Sequence, residues 1–152
     1  MSLFDSMTTS ASGMTAERLR MEVGADNLAN ANSTRTEDGG PYRRKVVNLE
    51  PRDEDTNSFP NVSTEEMLPG NSPAEPGDGV RVTGIEESKE EPRRVYKPEH
   101  PDANEEGYVE MPNIDPVEEM VDMMGASRAY EANVSAVQSA KTMFNQGLQI
   151  LQ

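Results

Sequence analysis

The chain carries one histidine, His100, in the stretch Pro98-Glu99-His100-Pro101-Asp102. With Glu99 and Asp102 it offers a set of nitrogen and oxygen donors that a metal could use. The spacing matches no metal signature, and proline on both sides points to a rigid turn, so a structural role is favoured. Paired carboxylates recur at Asp53-Glu54-Asp55, Glu90-Glu91 and Glu105-Glu106. General acid work needs an apolar wall to raise a carboxyl pKa, and none adjoins these runs, which read as solvated faces. There is no cysteine, no Gly-x-Ser-x-Gly and no second histidine to serve as a base. Gly77-Asp78-Gly79 lacks a phosphate-loop pattern, and no acidic run has calcium-loop spacing. The residues thus give no ground for an enzyme, a cofactor or a metal.

More informative are the amides Asn27, Asn30 and Asn32, clustered where a long proline-free stretch ends. Two readings stand side by side: they stop a helix by capping its carbonyls, or they form a hydrogen-bond cluster with another subunit.

The elements that place them fall into three segments, and together predict an α+β chain. Residues 1–31 predict one long helix, capped near Ser2 or Asp5. Phe4, Met7, Ala11, Met14, Met21, Ala25 and Leu28 alternate spacings of three and four, a heptad seam broken at Arg18, with Leu19 and Val23 as a flanking stripe. Residues 113–152 predict a second, capped by Asn113 or Asp115 with Pro116 in the first turn and Glu118 and Glu119 at its positive end. Its seam runs Met120, Met123, Ser127, Tyr130, Val134, Val137, Lys141, Phe144, Leu148, Leu151, and Val117, Val121 and Met124 make a second stripe. Arg18 and Lys141 interrupt the seams, either to pair with a neighbour's acids and set register or to reach solvent. Residues 32–112 predict a small β-rich, loop-rich region with strands at Tyr42–Leu49, Gly79–Glu86 and Arg93–Lys97. Between the first two lies an insertion at about 53–78, rich in Pro, Asn, Ser, Gly and acid, which reads as mobile surface.

Two such helices can pair as an inner coiled-coil-like layer, parallel or antiparallel. Ordering a residue costs roughly 1–2 kcal/mol, burying a large apolar side chain returns about 1.5–3, and the seams supply only about one per four or five residues. One pair is therefore marginal, and burial of the remaining stripes by neighbouring chains would stabilise it. The competing reading is an ordinary two-helix core in a monomer.

Composition narrows the partners. The net charge of −14, from 28 acidic and 14 basic residues, opposes binding to nucleic acid and to anionic membrane surfaces. A protein adapted to high salt and one with an ordinary acidic surface explain this charge equally well. No run of 18 apolar residues occurs, and the first 30 residues lack the pattern of a cleaved signal peptide.

Four stretches, in order, resemble one family. Ser10-Ala11-Ser12-Gly13-Met14 with Asn27-Leu28-Ala29-Asn30-Ala31-Asn32, and Glu119-Met120-Val121-Asp122-Met123 with Ser127-Arg128-Ala129-Tyr130-Glu131-Ala132-Asn133, are similar to the two terminal signatures of bacterial flagellar rod and hook proteins. Thr36–Lys45 and Tyr96–Asn113 narrow the resemblance to a member of the proximal rod. It implies a structural subunit of the basal-body axle that transmits torque, with the terminal helices forming its inner layer. It also implies contacts with copies of itself, with the rod subunits FlgB, FlgF and FlgG and, at the base, with FliE. Export would run through the flagellar type III apparatus without a cleaved signal peptide, to a periplasmic location. From a different class, a secreted binding module or export adaptor using the acidic middle region is the alternative.

Overall fold

The computed structural model describes residues 3–36, 39–52 and 79–150. Helix α1 spans Leu3–Ala29 and helix α2 Pro116–Ile150, and between them lie strands β1 (Lys45–Pro51), β2 (Val80–Glu87), β3 (Arg93–Tyr96) and β4 (Tyr108–Met111). The expected insertion at 53–78 lies outside the described residues, as do Ser2 and Leu151.

Both helices form where the absence of interior proline allows. Asp115 caps α2 by accepting from the Val117 amide at 2.9 Å, leaving Pro116, which has no amide to satisfy, in the first position. Asp5 sits in the first turn of α1, where a negative charge suits the helix dipole. At the other end Asn30 Nδ2 donates to the Asp26 carbonyl at 2.9 Å, and Ala31 and Ser33 fold into short turns.

The helices lie antiparallel. Phe4 meets Phe144 edge-on at 6.1 Å, a Cβ on Gly13 would stand 2.9 Å from the Asn133 amide, and one on Gly24 would stand 2.9 Å from Met123. The face of α1 that turns to α2 is therefore made of small residues. Ala16, Val23, Gly24 and Asn27 are buried along it. The predicted pairing seam of α1 runs beside this strip of small residues. Met14 directly follows Gly13, Met21 stands three residues before Gly24 and Leu28 four after it, so these side chains flank the contact strip at about 40–100° round the helix. Met7, Met14, Met21 and Leu28 are half-buried, whereas Phe4, Ala11, Arg18 and Ala25 are exposed. The predicted α2 seam lies much nearer the packed side: Met123, Tyr130, Val134 and Val137 are half-buried beside buried Glu119, Ala126 and Ala140.

β1 and β2 pair antiparallel, Lys45 opposite Glu87 through Pro51 opposite Val80. The register slips between Asn48 and Leu49, so Thr83 is the extra residue of a bulge, its hydroxyl donating to the Asn48 carbonyl at 3.2 Å. This sheet packs on α1. Gly79, with φ +86°, leads into β2 so close to α1 that a Cβ would fall 2.2 Å from Ser12 Oγ. That close approach lets Ser12 Oγ accept from the Val80 amide at 3.1 Å.

β3 and β4 form a separate hairpin, with Tyr96 against Tyr108 at 5.3 Å between ring centres. β4 was not expected from sequence, and β1 starts three residues later than predicted. The connecting loop docks on the segment after α1 through Thr34 Oγ1, which donates to Asp102 at 2.8 Å. His100 lies in this loop and its Nδ1 accepts from the Asp102 amide at 3.2 Å. No group of metal-ligating side chains occurs among the described residues.

Candidate assembly surface

Two sets of large apolar side chains remain open on the helices. The first is a stripe on the N-terminal half of α2: Val117, Met120, Val121 and Met124 are 63%, 44%, 55% and 53% exposed. Their spacing of three and four puts them on one face. That face points away from α1, because Ala126 and Glu119, which meet it, lie on the other side of the helix. The second set lies at the far end, where α2 runs on past the start of α1. Phe144 and Leu148 point along the packed face there but stay exposed, as do Phe4 and Met143. Met7, Met14, Met21 and Leu28, along the flank of the α1 contact strip, add half-buried apolar surface.

The remaining expected interface residues sort differently. Arg18 is exposed and pairs with Glu22 on its own helix at 2.9 Å, and Lys141 is exposed on α2. Asn27 is not available to a neighbour. It is 1% exposed. Its Nδ2 donates to the Lys45 carbonyl at 2.9 Å and to Glu119 Oε2 at 3.2 Å. Its Oδ1 accepts from the Lys45 amide at 2.9 Å and the Tyr42 hydroxyl at 3.2 Å. Two donors and two acceptor sites are all an asparagine has, so every one is used inside the chain. Asn30 is likewise engaged, through Asp26 and Ser33. For both, the intersubunit reading gives way to an internal one.

Asn27 is the centre of a polar clasp that joins the end of α1, the approach to β1 and the first turn of α2. Glu119 is 3% exposed, and burial of its carboxylate is offset by Arg44 Nε at 2.5 Å and by Asn27. Arg44 reaches on to Asp122 at 3.5 Å, and the hydrogen bond it donates to Glu119 raises its guanidinium pKa further. At the rim Lys45 Nζ pairs with Asp26 at 3.0 Å. That hydrogen bond is the main reason the Asp26 carboxyl titrates below its ordinary value and the Lys45 ammonium above its own.

A depressed carboxyl pKa stabilises the fold above the unfolded value of about 4, and the gain disappears as pH falls through the lower folded value. Both partners are more than a third exposed, so solvent screening keeps the gain under about 1 kcal/mol. Urea unfolding should show parent and Asp26→Asn separated by a constant gap from pH 5 to 7, closing as pH drops toward 2. A gap that widens on acidification would contradict the assigned sign.

Among the described residues no helix is long and apolar enough to cross a membrane. The family described as "Flagella basal body rod protein" matches residues 7–35, and the one described as "Flagellar basal body rod FlgEFG protein C-terminal" matches residues 105–150. These matches cover α1 with the turn after it, and β4 with α2. The chain is 44% identical to the flagellar basal-body rod protein FlgC of Borreliella burgdorferi, over 100% of this chain and 99% of that one. It is 43% identical to FlgC of Bacillus subtilis over 99% of each, and 38% identical to FlgC of Escherichia coli over 94% and 93%. These relatives give no support to the binding-module or export-adaptor alternative. The chain belongs to the FlgC family of flagellar basal-body rod proteins and is a structural rod subunit, not an enzyme.

Proposed function

We propose that this rod subunit sits in the proximal rod and polymerises through the open apolar surfaces of its terminal helices into a torque-transmitting axle. The observation that carries the reading is the Val117–Met120–Val121–Met124 stripe, apolar and solvent-facing on the side of α2 away from its partner helix. Contiguous apolar surface of this kind marks a contact with another chain. The helix pair forms the inner layer and the β region the outer one. Neighbours are copies of this chain and, as the resemblance implies, FlgB, FlgF and FlgG, with FliE at the base. Delivery runs through the flagellar type III apparatus to the periplasmic part of the basal body, without a cleaved signal peptide.

Phe144 and Leu148 on the overhang of α2, together with Leu151, offer the second contact. Arg18 in the middle of α1 and Lys141 on α2 remain candidates for setting register with a neighbour. Deleting residues 148–152 is expected to abolish rod assembly and motility while leaving expression intact, as read by swimming assays and immunoblots. A motile deletion strain would remove the overhang from the interface.

A further inference from the structure

We infer that Arg44 is a positioning residue: it latches the β1–β2 sheet to α2 and thereby stops the sheet from rocking on α1. This latch lies within one chain and does not depend on polymerisation. Polar contacts between described residues tie the sheet to α1 at its two ends. Asn27 holds Lys45 at the start of β1, and Ser12 holds Val80 at the start of β2. At about 1.5 Å per residue those anchors lie roughly 22 Å apart along the helix. Two anchors on one rod define a line, and a body fixed at two points can still turn about that line.

Only an attachment off the line prevents the turning. Among the described residues no strand packs its backbone on α2. Arg44, one residue before β1, supplies a third point on α2 itself through Glu119 and Asp122, whereas the Asn113–Glu90 hydrogen bond joins only exposed flanking segments. Behind the latch lies unfilled space, a groove of about 220 Å³ walled by Val23 and Gly24 of α1, Val47 and Leu49 of β1 and Met123 of α2. The sheet thus has room to move toward α2, and side-chain packing does not replace the ionic stop.

The latch should open when its charges are removed in pairs. Arg44→Met with Glu119→Gln removes both charges and keeps the shape and the Asn27 hydrogen bond, a change that can be nearly neutral for stability. The chain has no cysteine, so spin labels at Glu86→Cys on β2 and Glu131→Cys on α2 report one distance. In the parent this distance is expected to be a single narrow distribution. In the double variant it should broaden at least twofold, with unchanged helicity and a thermal midpoint close to the parent's. A distribution that stays narrow in the folded double variant would overturn the inference, because α1 alone would then hold the sheet. So would a distribution already broad in the parent, or a double variant that fails to fold, since the cluster would then be part of the folding core and not a latch.

Discussion

Replacing Val121 and Met124 by aspartate should leave the subunit folded and stop the rod from forming. Both side chains are more than half exposed, so each substitution in the free chain falls within about 0.5 kcal/mol, the usual range for surface positions. Helix propensity adds little, since aspartate is close to valine and modestly below methionine. In a polymer the same positions would be covered. An unpaired carboxylate taken out of water costs several kcal/mol, repeated at every subunit contact. The expected strain expresses the protein, exports no working rod and does not swim, while the purified variant melts within a few degrees of the parent. Swimming at the parental rate would mean that the stripe faces water in the assembled rod.

The second large effect is expected at Asn27. Asn27→Ala removes four hydrogen bonds and leaves the Lys45 amide and carbonyl and a Glu119 oxygen short of partners in a buried place. Unsatisfied buried groups cost about 1–3 kcal/mol each, and partial relaxation brings the expected total to about 3 kcal/mol in urea unfolding. Asn27→Asp should be at least as harmful at neutral pH, because it sets a second carboxylate about 3 Å from Glu119, and like charges at that distance repel. Part of that loss should return on mild acidification. A cost below 1 kcal/mol for the alanine variant would show that water replaces the lost amide.

Helices, strands and clasp were not equally legible in the sequence. The two helices announced themselves, because a long proline-free stretch with three-four spacing has few other solutions. The α2 seam was close to right, since large side chains there do face α1. In α1 the same rule picked the flank of the contact strip and not its centre. Gly13, Ala16 and Gly24 let the backbones approach, and a reading that weighs large apolar residues passes over them. β4 is only four residues long and follows eleven residues of turn, too short for alternation to register. The clasp was out of reach for another reason. Asn27, Arg44 and Glu119 are brought together from three elements across 92 residues, and no local spacing encodes that meeting. What hinted at it were the family signatures: Ser12, Gly13, Asn27, Glu119 and Asn133 all lie within them, and all sit where α1 meets the sheet or α2.

Methionine oxidation offers the most direct test of whether neighbours cover the outward stripe. Met120 and Met124 are exposed in the single chain, and buried Met111 serves as an internal reference. Peroxide treatment of free subunit and of isolated basal bodies, read by peptide mass spectrometry, gives the rate at each sulfur. Met120 and Met124 are expected to oxidise at least tenfold more slowly in the rod than in the free chain, while Met111 is slow in both. Equal rates for Met120 and Met124 in the two states would contradict it.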